Sequence, residues 1–128
     1  MAEARILLID DDPDFVDATL TVLESVPYEV LVAYDGDEGL VKVREERPDL
    51  VLLDIIMPTQ DGFHVCEKLK SDPELWSIPV IMLTSLSQHI GDTVYSVQDG
   101  MMLEADDFID KPVRPKELLA RIARLLKR

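Results

Sequence analysis

Apolar residues along this chain gather in short continuous runs that are separated by longer segments with helical periodicity. The runs cover residues 6–9, 28–32, 50–53 and 80–83, and a shorter one comprises Phe108 and Ile109. Strands that are covered on both faces read as continuous apolar runs, as in a parallel sheet whose connections are helices. The pattern therefore predicts five parallel strands with helices between them.

The segments between these runs carry the signals of amphipathic helices. Asp12 followed by Pro13 is a typical helix start. The apolar residues that then recur at helical spacing, and that we expect on the inner face of this first helix, are Phe15, Ala18, Val22 and Val26. A second helix is predicted over residues 37–46, where it ends before Pro48.

Three further helices complete the alternation of strands and helices. The third is predicted after Gly62, with Phe63, Cys66 and Leu69 on one side. The fourth lies between the last two strands, and the fifth carries Leu118, Leu119, Ile122, Leu125 and Leu126 on its inner face. Five strands alternating with five helices predict a doubly wound α/β fold, and we expect one domain over residues 1–128.

Size and charge exclude several classes of function. A chain of 128 residues with a formal net charge of −13 is large enough for one core, and its charge would repel a nucleic acid backbone. It has neither an apolar stretch of membrane-spanning length nor the order of a signal peptide at its start. We therefore expect a cytoplasmic protein without a nucleic acid or membrane partner, in which the single Cys66 fills space in the core.

Polar residues with chemical potential follow the predicted strands. Asp10 and Asp11 come after the first strand, Asp54 after the third, Thr84 after the fourth and Lys111 after the fifth. In open α/β sheets the ligand crevice lies at the carboxyl ends of the strands, where the strand order reverses. In the order 2-1-3-4-5 that point lies between strands one and three, so the three carboxylates are expected to converge there.

A cluster of carboxylates requires a cation, because like charges about 4 Å apart repel by roughly 4 kcal/mol per pair at an effective dielectric constant near 20. Hard oxygen ligands favour Mg²⁺, with Mn²⁺ as the alternative. Thr84 offers a hydroxyl and Lys111 a positive charge, and both suit phosphoryl oxygens. The set indicates phosphoryl chemistry.

At this point the chain resembles the receiver domains of response regulators, the chemotaxis-regulator-like receivers of two-component systems. The segments that carry the resemblance are ILLIDDD, LVLLDIIMPTQDG, PVIMLTS and DDFIDKP. It covers nearly the whole chain. The resemblance implies a flavodoxin-like fold, with a five-stranded parallel sheet in the order 2-1-3-4-5 and helices on both faces.

The resemblance also implies a role for each site residue. Asp54 would accept a phosphoryl group from a partner histidine kinase or phosphotransfer protein, and the chain would be a self-acting switch rather than a turnover enzyme. Asp10, Asp11, Asp54 and the backbone carbonyl of Ile56 would bind Mg²⁺. Thr84 and Lys111 would bind phosphoryl oxygens, and Phe108 would be the switch aromatic, whereas Asp12 is interpreted as a helix cap.

The implied output surface is the face formed by helix 4, strand 5 and helix 5, through which a homodimer could form. The segment between Thr84 and Lys111 is about five residues longer than is usual in the family, so within residues 85–107 the fourth helix is expected to be lengthened, shifted or followed by an extra turn. Met101 and Met102 there either pack on the sheet or form a partner surface. A basic fifth helix beside acidic residues such as Asp106 and Asp107 fits either a dimer contact or two solvated faces.

Two other interpretations of the site are less consistent with the residues. A phosphohydrolase of the haloacid-dehalogenase type is expected to have Thr or Val where this chain has Asp14. A pseudo-receiver that serves only as an interaction module is expected to lack one of the acidic, hydroxyl or lysine positions, all of which are present. We interpret His64 and His89 as exposed structural residues and Trp76 as a partly buried loop anchor.

Overall fold

The computed structural model describes residues 4–26, 28–54, 62–84, 105–110 and 113–127. Within these ranges the strands are β1 (Arg5–Ile9), β2 (Glu29–Ala33), β3 (Leu50–Asp54), β4 (Val80–Thr84) and β5 (Asp107–Asp110). They form one sheet in the order β2-β1-β3-β4-β5, and all neighbours are parallel. The predicted strand order is confirmed.

The helices of the described residues are α1 (Pro13–Glu24), α2 (Gly36–Glu46), α3 (Gly62–Ser71) and α4 (Pro115–Leu126). The helix α4 is the one that the sequence predicted as the fifth. The predicted fourth helix, together with His89, Met101 and Met102, lies outside the described residues. Every helix of the described part is too short or too polar to cross a lipid bilayer.

The core consists of two apolar layers, one on each face of the sheet. Leu7, Ile9, Leu53 and Met82 face α2 and α3, whose buried residues include Cys66. Their neighbours along the strands face the other way and pack against α1 and α4; this second layer includes Ile6, Leu8, Leu52, Leu83, Ile109, Leu118 and Ile122. Helices therefore cover both faces, and Cys66 is a core residue, as predicted.

The inner face of α1 agrees only in part with the prediction. Phe15 and Val22 are partly buried and pack against the core, as predicted. The buried residues of this helix are Val16, Thr19 and Leu23, whereas Ala18 is exposed. Val26 lies beyond the end of the helix at Glu24. The apolar stripe of α1 is broad enough to be centred on either set, and packing against the sheet selects the set that includes the polar Thr19. A hydropathy pattern passes over such a residue.

The prediction for Trp76 was wrong, since this side chain is 59% exposed in the turn between α3 and β4. The residue does anchor the turn, but through its backbone. Its N–H donates to the carbonyl of Asp72 at 3.0 Å, and its carbonyl accepts from Lys70 Nζ at 3.0 Å. His64 is exposed, as expected.

Candidate metal site at the carboxyl end of the sheet

The register of the central strands brings two aspartates together. Ile9 of β1 pairs with Leu53 of β3. The residues that follow them, Asp10 and Asp54, therefore lie side by side at the carboxyl end of the sheet. Both are buried, with exposed fractions of 0% and 6%. Such a position is the crevice that doubly wound sheets use for ligands.

Asp11 joins these two residues, and it is more accessible to solvent than they are. One carboxylate oxygen from each of Asp10, Asp11 and Asp54 lies within 4.8 Å of the others. The structure thus brings together the three carboxylates that the sequence placed in a metal site.

The loop from β1 to α1 gives each of its three aspartates a different environment. The N–H of Asp10 donates to the carbonyl of Ala33 at 3.0 Å, which ties the loop to the end of β2. Asp10 Oδ1 accepts from the N–H of Asp12 at 3.0 Å. Asp12 Oδ1 in turn accepts from the N–H of Asp14 at 3.0 Å and caps α1. The interpretation of Asp12 as a helix cap is confirmed, and its carboxylate is engaged away from the cluster.

The electrostatics of the three clustered carboxylates favour a bound cation. At separations of at most 4.8 Å and an effective dielectric constant near 20, each fully ionised pair repels by at least roughly 3 kcal/mol. A divalent ion bound between the carboxylates would attract each of them and so offset this repulsion. Three carboxylate oxygens are hard ligands, and they leave coordination positions for water or phosphate, which is the usual environment of protein-bound Mg²⁺. The three carboxylates therefore fit a bound Mg²⁺ ion.

The other predicted site residues are only partly described. Thr84 ends β4, and its backbone lies one position beyond Leu83, the partner of Asp54 in the ladder. The description of Thr84 is limited to its backbone. Ile56 and Lys111 lie outside the described residues. Their roles stay predictions.

Phe108 lies in the middle of β5 with its ring half-buried. It pairs in register with Met82 and packs against the layer that faces α2 and α3. Its backbone is held on both sides. The N–H donates to Asp107 Oδ1 at 2.8 Å, and the carbonyl accepts from Arg121 Nη1 at 3.0 Å.

Two sets of ion pairs around β5 were not predicted as such. Arg121 and Arg124 of α4 bind the two carboxylate oxygens of Asp107 at 2.6 and 2.7 Å. Lys70 of α3 binds Asp106 at 2.9 Å. The sequence showed opposite charges on these segments but no signal of which residues pair, because the partners are 14 to 36 positions apart.

Comparison with known proteins agrees with this geometry. The family model of the response regulator receiver domain matches residues 6–123. The DNA-binding dual master transcriptional regulator RpaA of Synechocystis sp. is 43% identical over 124 residues, which are 97% of this chain and 49% of that protein. The chain therefore belongs to the response regulator receiver domain family of two-component systems.

Solved structures show the same architecture. The signal receiver domain of a signal transduction histidine kinase from Syntrophus aciditrophicus is 37% identical, with a TM-score of 0.85 over 97% of this chain and 90% of that one. The receiver domain of the sensor histidine kinase PA1611 from Pseudomonas aeruginosa, described with a magnesium ion in its active-site cleft, is 23% identical with a TM-score of 0.85 over 99% of this chain and 100% of that one. At that identity the second likeness concerns the fold alone. The chain spans about half the length of the curated relatives it matches.

Proposed function

We propose that this chain is a phosphorylation-dependent switch that accepts a phosphoryl group on Asp54 in the presence of Mg²⁺. The observation that carries the proposal is the cluster of Asp10, Asp11 and Asp54 at the carboxyl end of the sheet. Buried carboxylates at this separation are a poor arrangement for stability alone, since they repel. They are a suitable arrangement for binding a divalent ion beside a nucleophile.

The three aspartates would hold Mg²⁺, and Mn²⁺ would be an acceptable substitute. When bound, the ion supplies charge neutralisation to the carboxylates and to an incoming phosphoryl group. The choice of metal is supported by the three carboxylate oxygens, which are hard ligands of the kind that Mg²⁺ prefers.

The phosphodonor in this proposal is a phosphohistidine on a partner histidine kinase or phosphotransfer protein. A carboxylate oxygen of Asp54 attacks the phosphorus, the P–N bond to histidine breaks, and the imidazole leaves. Burial of Asp54 between β1 and β4 fixes the direction of attack, so that positioning contributes a large part of the rate. The domain acts once on itself and is reset by hydrolysis, and in this sense it is a switch and not a turnover enzyme.

Relay of the signal would involve the surface that contains β5 and α4. A phosphoryl group adds charge and acceptor oxygens near the end of β4, to which Thr84 and Lys111 are expected to respond. Phe108 lies on β5, and its backbone contacts Arg121 of α4. A shift of β5 would therefore be transmitted to that helix.

The direct test is intact-mass measurement after incubation with acetyl phosphate and Mg²⁺. We expect a gain of one phosphoryl group in the wild-type chain and no gain in Asp54→Asn. Asp12→Asn is the matched control, because Asn caps a helix as well as Asp does and the variant should still be phosphorylated. Wild-type protein that gains no phosphoryl group, or a gain that survives Asp54→Asn, would contradict the proposal.

A homodimer through the β5 and α4 surface is a second proposal, supported by the charges found there. The side chain of Arg124 is 66% exposed while it binds the largely buried Asp107, so the guanidinium of Arg124 is accessible to a prospective partner copy. Sedimentation with and without beryllofluoride distinguishes the states. We expect dimerisation with beryllofluoride, and a monomer under both conditions would exclude it.

The cytoplasmic location and the absence of nucleic acid binding by this domain stay predictions. The second is supported by the net charge of −13.

A further inference from the structure

The strand β5 is the shortest described strand of the sheet, with four residues. Within the described sheet it lies at an edge and pairs with β4. Phe108 faces the layer of α2 and α3, whereas Ile109 faces the layer of α1 and α4. A slip by one residue would exchange these two side chains between the faces. Lys111, for which a phosphoryl-binding role is proposed, follows Asp110 in the sequence.

Asp106, the residue immediately before β5, binds the first residue of β4 through both its backbone and its side chain. Its N–H donates to the carbonyl of Val80 at 2.8 Å, and its Oδ2 accepts from the N–H of Val80 at 2.8 Å. Both backbone groups of one β4 residue are thus bound by one residue. The next pair in the ladder, Ile81 with Asp107, continues directly from these two hydrogen bonds.

Lys70 of α3 holds the carboxylate of Asp106 in that position. Its Nζ donates to Asp106 Oδ2 at 2.9 Å and to the carbonyls of Trp76 and Ile78 at 3.0 and 2.9 Å. The three acceptors lie on the turn before β4 and on the residue before β5. One ammonium group therefore connects the end of α3 to the start of both strands.

Burial distinguishes this pair from the surface ion pairs of the chain. The side chains of Lys70 and Asp106 are 14% and 20% exposed. The nearby pair of Arg47 and Glu74 is longer, at 3.6 Å, and its side chains are 51% and 73% exposed. Exposed pairs of that kind contribute little, while removal of one member of a shielded pair leaves a charge without compensation.

We propose that Lys70 and Asp106 are positioning residues that set the register of β5, and with it the placement of Phe108 and of the strand end that precedes Lys111 in the sequence. This inference rests on the proposed phosphoacceptor function. The two residues act at the amino-terminal ends of β4 and β5, and they would influence the phosphorylation of Asp54 at the carboxyl end of the sheet. The proposed metal ligands lie in the loop after β1 and at the end of β3, so they should be unaffected.

The test compares Lys70→Met with Lys42→Met. The second variant is a matched control, since Lys42 on α2 also donates to a strand carbonyl, that of Val32, and pairs with Glu38 at 3.3 Å. It contacts the opposite edge of the sheet. We expect phosphorylation by acetyl phosphate to be roughly ten- to a hundredfold slower in Lys70→Met. Lys42→Met should keep the wild-type rate, and Lys70→Arg should restore most of it.

Two further measurements separate positioning from loss of stability. Calorimetric Mg²⁺ affinity should be the same in Lys70→Met and wild type, and hydrogen exchange of the β5 amides should be faster in Lys70→Met alone. A folded Lys70→Met with wild-type phosphorylation rate and wild-type β5 exchange would overturn the inference. If that variant fails to fold, Asp106→Asn provides the same comparison, because it keeps an oxygen acceptor for the N–H of Val80 and loses the charge. Wild-type protein that is not phosphorylated would refute the proposed function, and the exchange measurement would then decide on the register by itself.

Discussion

Gly39 of α2 packs against Ile9 of β1, directly before the metal-binding loop. A Cβ atom on Gly39 would lie 2.5 Å from Ile9 Cδ1 and 2.9 Å from Ile9 Cγ1. Favourable contacts between carbon atoms are about 3.5–4.0 Å long, so an added methyl group would overlap Ile9 by roughly 1 Å. We therefore expect Gly39→Ala to displace Ile9, whose next neighbour in the chain is Asp10.

Two opposing terms set the size of this effect. Overpacking of a filled core usually costs about 1–3 kcal/mol. Alanine is better than glycine inside a helix by about 1 kcal/mol, which offsets part of that strain. The expected result for Gly39→Ala is a net loss of about 1 kcal/mol in the free energy of unfolding.

Ile9→Val removes the Cδ1 atom that makes the closest of these contacts. Alone, this substitution is expected to cost about 0.5–1.5 kcal/mol, since it leaves a small cavity. In combination with Gly39→Ala the cavity receives the new methyl group. The double variant should therefore be more stable than the sum of the two single changes predicts, with a coupling of about 1–2 kcal/mol.

Urea unfolding of the wild type, the two single variants and the double variant measures this coupling. Ile6→Val is the matched control for Ile9→Val, because it deletes the same atom on the same strand but on the opposite face of the sheet. Its effect should add to that of Gly39→Ala. Calorimetric Mg²⁺ affinity should fall in Gly39→Ala and recover in the double variant. Additivity within about 0.5 kcal/mol for Ile9→Val would refute the reasoning, since it would mean that α2 moves away at no cost.

Two further predictions concern the loop after β1. Asp10→Asn removes one charge from the cluster, so unfolding without Mg²⁺ should require about 1–3 kcal/mol more free energy. The stabilisation by Mg²⁺, about 2.7 kcal/mol at a hundred times the dissociation constant, should be lost in this variant; thermal scans with and without the ion check both, and a retained Mg²⁺ shift would contradict the assignment. Asp12→Ala should lower the free energy of unfolding by about 1 kcal/mol through loss of the cap, whereas Asp12→Asn should leave it unchanged; equal losses in denaturant titrations would argue against the cap.

The strands and the acidic cluster could be predicted from the sequence because their signals are local. Each observed strand begins and ends within about one residue of its apolar run, as the continuous pattern of a strand covered on both faces leads one to expect. The convergence of Asp10 and Asp54 follows from the same pattern, because parallel strands bring their carboxyl ends to one edge. Asp12 could be assigned to the helix cap since it directly precedes Pro13.

Only the tertiary structure decided which helix faces are buried and which distant charges pair. The stripe of α1 allows two inner faces, and contact with the sheet selects the one with Val16, Thr19 and Leu23. The ring of Trp76 is exposed, and the residue is held in the turn by hydrogen bonds to its backbone N–H and carbonyl. The pair of Lys70 and Asp106 joins residues 36 positions apart. Such contacts depend on how whole helices and strands pack together. That packing is determined by many side chains that are distant in the sequence, so a local sequence pattern cannot predict it.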